Sequence, residues 1–132
     1  MINHVTVIGS GLMGAGIAAH LTNAGVNVLL LDIPDVSSEN RNNFADQAVK
    51  KLHKIKPSPL TLARNTNLIE TGNIDDHLHL IKNSDWVIEV IIEDLNIKKS
   101  LYEKIEDLMK DDLIISSNTS TIPLKKLTEG RN

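Results

Sequence analysis

At 132 residues the chain is the size of one domain, and its 41% hydrophobic and 23% charged residues are the balance of an ordinary globular protein. A formal net charge of -3 and an aromatic content of 2% leave no basic footprint and no stacking platform for nucleic acid. With no cysteine there is neither a disulfide framework nor a thiol nucleophile, no apolar run approaches membrane-spanning length, and no leader precedes the first strand, so a cytoplasmic protein without membrane insertion is expected.

His4 to Ile8 reads as a short buried strand, and it runs directly into Gly9-Ser10-Gly11-Leu12-Met13-Gly14. A G-x-G-x-x-G turn between a strand and a helix asks for glycine three times. Gly9 makes the tight turn, Gly11 leaves the backbone open to a pyrophosphate, and Gly14 lets the helix pack closely on the sheet. Leu12 to Asn23 carries apolar residues at helical spacing, and Gly25 is its stop. The N–H groups and positive dipole end of that helix face the phosphates. Asn27 to Leu31 is a second strand ending in Asp32, about 20 residues beyond the glycines, where a carboxylate receives the adenosine ribose hydroxyls. Asp32 repels a 2′-phosphate, and Ile33 and Pro34 offer no arginine to receive one. NAD is therefore favoured over NADP, with FAD left open by the fingerprint alone.

Phe44, Ala45, Ala48, Val49 and Leu52 mark a helix whose end carries Lys50, Lys51, Lys54 and Lys56, with Pro57 and Pro59 as its stop. A solvated basic helix end is the plainer reading of these lysines, and a contact to a phosphate-bearing substrate such as coenzyme A is the sharper one. Asn67 to Thr71 predicts a short strand and Ile74 to Ile81 a short helix. His77 and His79 point in different directions on such a helix, and no third ligand stands near, so no metal site is expected. His4, His20 and His53 are scattered and form no catalytic pair. Trp86 to Ile92 is a nearly continuous apolar run, as in a parallel strand covered on both faces. Asp94 can cap the following helix, with Leu101, Ile105 and Leu108 as its apolar stripe. Leu113 to Ile115 predicts the next strand, followed by Ser116-Ser117-Asn118-Thr119-Ser120-Thr121 and a last helix from about Pro123 to Glu129.

This alternation predicts a doubly wound parallel sheet of the Rossmann type over residues 1–132. Ligands on such sheets gather beyond the carboxyl ends of the strands, where Gly9, Asp32, Glu93 and Ser120 would converge. Read without further help, Glu93 is equally a solvated loop acid, Lys98 a surface lysine, and Ser120 a helix cap.

The motifs Gly9 to Ala18, Asp32, Glu89-Val90-Ile91-Ile92-Glu93-Asp94 with Lys98, and Ser117-Asn118-Thr119-Ser120 together closely resemble the NAD-binding domain of the 3-hydroxyacyl-CoA dehydrogenases of fatty acid β-oxidation. The segment Lys56-Pro57-Ser58-Pro59-Leu60-Thr61 further resembles a longer bacterial subgroup in which a hydratase-like domain follows. The resemblance implies oxidation of 3-hydroxyacyl-CoA to 3-ketoacyl-CoA with NAD, and a homodimer for the whole enzyme. It implies that Gly9, Ser10, Gly11, Leu12, Met13 and Gly14 hold the pyrophosphate, Asp32 the ribose, and Glu93 and Lys98 the length of the cofactor. Ser120 would lie beside the nicotinamide as the catalytic serine, its hydroxyl able to donate to the ketone and accept from the alcohol. The family's general-base histidine belongs to a motif that these 132 residues do not contain, and the helical domain that closes the substrate cleft is absent too. The chain is thus expected to be an incomplete dehydrogenase without useful turnover. The competing expectation is a stand-alone NAD-binding or sensing module.

Overall fold

The computed structural model of the protein describes residues 1–108 and 112–118. Ser120 and the helix expected from Pro123 to Glu129 lie outside the described residues. Among the described residues are five parallel strands: β1 (His4–Ile8), β2 (Asn27–Asp32), β3 (Ile69–Asn73), β4 (Trp86–Glu89) and β5 (Ile114–Ser117). They stand in the order β3-β2-β1-β4-β5. The order reverses direction at β1, so the doubly wound sheet has its switch point between β1 and β4.

Four helices connect the strands: α1 (Leu12–Asn23), α2 (Asn43–Leu52), α3 (Ile74–His77) and α4 (Leu95–Glu106). Strand periodicity divides the core between the two faces of the sheet. Val5, Val7, Val28 and Leu30 pack against α1 and α2 on one face, while Ile8, Leu31 and Val87 pack against Leu101 and Ile105 of α4 on the other. Each such fully buried aliphatic side chain contributes roughly 1.5–3 kcal/mol relative to exposure.

Helix α1 stops where its sequence predicts. Gly25 adopts φ 79°, its N–H donates to Thr22 O and that of Val26 donates to Leu21 O, a Schellman ending that a left-handed glycine permits. Helix α4 starts at Asp94, whose Oδ1 accepts from the N–H groups of Asn96 and Ile97 at 2.9 and 3.0 Å. A cap of this kind contributes about 1 kcal/mol.

Several boundaries differ from the sequence reading. Helix α2 ends at Leu52, so Lys54 and Lys56 lie beyond it. β3 is shifted to Ile69–Asn73, after a 3₁₀ segment at Ala63–Leu68. The helix expected over Ile74 to Ile81 is one α turn continued by a 3₁₀ segment, Leu78–Asn83. β5 runs to Ser117, two residues later than expected. β4 stops at Glu89, not Ile92, because the Glu89 carboxylate accepts the N–H of Ile91 at 2.9 Å and turns the chain away from the sheet.

The β2–α2 loop is pinned to α3 by Arg41, whose Nε donates to Asp76 Oδ2 at 2.8 Å. That guanidinium hydrogen bond, followed by the Asn73 side chain, holds the Asp76 carboxyl below its ordinary value of 3.8. A depressed folded-state pKa contributes stability that is present above the unfolded value and lost as pH falls through the folded one. Arg41→Met should therefore lower stability slightly near neutrality, since an exposed pair contributes little, with the difference from wild type vanishing below about pH 4 and the acid limb correspondingly shallower. Urea unfolding across a pH series measures this, and an acid limb as steep as that of the wild type would contradict it.

Candidate functional site

The site is built where β1 leaves the sheet beside β4. Gly9 adopts φ +113°, and its N–H donates to Leu31 O at 2.7 Å. A Cβ on Gly9 would lie 2.6 Å from the Val90 carbonyl oxygen, and one on Gly14 would lie 1.8 Å from the Gly9 carbonyl oxygen. Both approaches are closer than a side-chain carbon allows, so these two glycines serve the packing of the protein on itself. A Cβ on Gly11 would meet nothing within 4 Å. The second glycine therefore keeps space open in front of α1, and as N-cap it makes no side-chain bond to the first-turn N–H groups. Leu12 and Met13 direct their side chains outward, 83% and 58% exposed, so what this part of the turn offers a ligand is its backbone.

Asp32 ends β2 and is tied to the same turn. Its Oδ2 accepts from the N–H of Ser10 at 2.9 Å and from the Ser10 hydroxyl, while Oδ1 accepts from the N–H of Ile33 at 2.7 Å. The acid stands between two cavities. One, of about 790 Å³, opens at the β1/β4 switch point and runs from Gly9, Gly11 and Asp32 across to Val90, Ile91 and Ile92. The other, of about 560 Å³, lies toward α2 and is lined by Gly11, Asp32, Phe44, Lys51 and Lys54.

Lys98 is not the surface lysine its spacing also permitted. It is 1% exposed, with Nζ at 3.0 and 2.8 Å from the two oxygens of Glu89 and 3.3 Å from Glu93 Oε1. Glu89 is fully buried and accepts further bonds from Tyr102 OH at 2.9 Å and Ser117 Oγ at 2.7 Å. Two buried charges of this kind need each other: removal of either partner strands the other and costs about 3–5 kcal/mol. The role of Glu89 was not read from the sequence, although one acid inside the apolar run Trp86 to Ile92 was a signal that something there must pair it. The structure thus gathers Gly9, Ser10, Gly11, Gly14 and Asp32 at the turn, and sets Glu93 and Lys98 around Glu89.

Among the described residues no group of three or more His, Cys, Asp or Glu is placed to hold a metal. His77 accepts the N–H of Asn73 through Nδ1 at 3.0 Å, a structural role.

A family model described as 3-hydroxyacyl-CoA dehydrogenase, NAD binding domain, matches residues 4–132. The chain belongs to this family. A probable 3-hydroxyacyl-CoA dehydrogenase of Bacillus subtilis (strain 168) is 44% identical over 99% of the chain and 18% of its own length. A putative fatty acid oxidation complex trifunctional enzyme of Rickettsia prowazekii (strain Madrid E) is 52% identical over 96% of the chain and 18% of its own length. The fold matches a crystal structure of the 3-hydroxybutyryl-CoA dehydrogenase of Escherichia coli K12 with a TM-score of 0.80 and 28% identity, covering 100% of this chain and 28% of that one. The chain therefore spans under a third of the length of these relatives.

The residues present fit the dinucleotide this NAD-binding domain takes. The space in front of Gly11 admits a pyrophosphate against the α1 N–H groups, and Asp32 offers acceptor oxygens on the cavity rim. Gly14→Ala should lower the thermal midpoint sharply or prevent folding, because its Cβ enters the Gly9 carbonyl. Gly11→Ala should keep the wild-type midpoint and weaken NADH binding by about tenfold, or 1.4 kcal/mol. Thermal unfolding beside fluorescence titration with NADH separates the two effects; unimpaired NADH affinity in Gly11→Ala would refute the assignment.

Proposed function

We propose that the chain is the cofactor-binding portion of an enzyme that oxidises 3-hydroxyacyl-CoA to 3-ketoacyl-CoA in fatty acid oxidation. The observation that carries this reading is the convergence of the open glycine turn, Asp32 and the Val90 to Ile92 segment on one cavity at the switch point, in a chain of this family. Gly9 and Ser10 would shape the turn and the segment from Gly11 to Gly14 would hold the pyrophosphate through backbone N–H groups, while Asp32 would hold the adenosine ribose and repel a 2′-phosphate. Glu93 would stand along the cofactor, and Lys98, buried behind the cavity wall, would act on it by holding Glu93. Ser120 would hydrogen-bond the substrate oxygen at the carbon that exchanges hydride. NAD, when bound, supplies the hydride acceptor.

Oxidation of the alcohol also needs a base for the hydroxyl proton, in hydrogen-bond reach and with a matched pKa. None of the five histidines lines either cavity beside the glycine turn. The reading therefore assigns the proton to a group outside this chain. Lys51 and Lys54 line the cavity on the α2 side of Asp32, which favours a contact to the phosphates of coenzyme A over a purely solvated basic patch. A cytoplasmic setting and a homodimer of the whole enzyme belong to the same reading.

With acetoacetyl-CoA as substrate, the isolated 132-residue chain should bind NADH without oxidising it, and the whole protein should turn over. Steady-state absorbance of NADH measures both, and rapid oxidation by the isolated chain would overturn the assignment of the base. Asp32→Ala should weaken NAD binding by about tenfold, equivalent to 1.4 kcal/mol, in a calorimetric titration. Equal affinity in variant and wild type would remove the ribose role.

A further inference from the structure

The Glu89 carboxylate gathers donors from three separate elements. It takes the Ile91 N–H from the loop after β4, the Ser117 hydroxyl from the end of β5, and both the Lys98 ammonium and the Tyr102 hydroxyl from α4. Its own carbonyl accepts the N–H of Asn118 at 2.9 Å, so side chain and backbone together bind the end of β5 and the residue after it. The Val90–Glu93 loop is held at both ends through α4, since the Lys98 ammonium that meets Glu89 also reaches Glu93 at 3.3 Å. This loop forms the wall of the cofactor cavity opposite the glycine turn, and the Val90 carbonyl is the group that Gly9 packs against.

A buried ion pair is a poor source of stability, because well-packed apolar residues of similar volume do as well or better. A fully satisfied polar network, by contrast, selects one arrangement of the segments it joins. We propose that Glu89 is a positioning residue for the NAD site: its buried carboxylate fixes the β4–α4 loop and the end of β5 in one geometry against the glycine turn. The proposal rests on the NAD-binding role of the domain and not on the acyl-CoA reaction.

The test uses the whole protein that carries this chain, with three readouts: the thermal midpoint, NADH affinity by fluorescence titration, and hydrogen exchange of the segment 90–93 without cofactor. Glu89→Gln keeps the side-chain volume and removes the charge. It should weaken NADH binding at least tenfold and speed exchange in that segment. Tyr102→Phe removes a bond from the helix side only. It should lower the midpoint while leaving NADH affinity within twofold and loop exchange unchanged. Wild-type affinity and exchange in Glu89→Gln would overturn the proposal. So would an affinity loss in Tyr102→Phe that tracks its loss of stability, since the network would then act through folding alone. If Glu89→Gln does not fold, Ser117→Ala decides: a threefold or greater loss of NADH affinity near the wild-type midpoint supports the role, and unchanged affinity overturns it. A wild-type protein that binds NADH but leaves acetoacetyl-CoA unreduced would count against the proposed reaction and leave the role of Glu89 standing.

Discussion

The Val90 carbonyl fills the space into which a side chain at position 9 would project, and the site is arranged around that contact. β1 and β4 are neighbours whose connections depart in opposite directions along the sheet, so the chain must open a crevice between them. Closing the backbone of one strand end against the loop of the other leaves no room for a Cβ at Gly9. It also forces φ +113°, which glycine adopts without strain. Gly14 then seats α1 on the Gly9 carbonyl, aiming the helix N-terminus over the strand ends. Ser10, caught between these two glycines, is brought within hydrogen-bond reach of Asp32 on the next strand.

Two acids at strand ends show how environment divides their work. Asp32 ends β2 on the rim of two cavities, with polar partners on both oxygens and no cation among them. It is placed to accept hydrogen bonds from a neutral hydroxyl and to reject a second negative charge. Glu89 ends β4 with no exposure and accepts from the Ile91 N–H, the Lys98 ammonium and the Tyr102 and Ser117 hydroxyls. Charge buried to that degree is tolerated only when paired and hydrogen-bonded, and it then orders whatever it is bonded to. The first acid faces open cavities, and the second is bonded to the segment that lines one of them.

Much of this was legible in the residues. The glycine spacing, the apolar runs and Gly25 place β1 and α1 at their observed bounds, because turn chemistry and periodicity are local properties. The acid closing the second apolar run was found for the same reason, since a strand of known rise delivers Asp32 a fixed distance from the turn. Reading failed where contacts from elsewhere in the chain decide. The extent of β4 was overestimated by three residues because an apolar run looks like strand until the Glu89 carboxylate takes the Ile91 N–H. The residues left Lys98 equally a surface lysine or a site residue, and its burial against Glu89 became visible only in the folded chain.

The sequence by itself determined the α/β alternation, the dinucleotide turn and the acid that closes β2, all of them set by local spacings. Only the tertiary structure decided that Gly11 is the one glycine of the turn left facing open space. It also decided that Glu89, Lys98, Tyr102 and Ser117 meet in one buried network behind the cavity wall. The physical reason is that burial and hydrogen-bond partnership depend on which elements are neighbours in space. The parallel order β3-β2-β1-β4-β5 brings together strand ends that lie far apart along the chain.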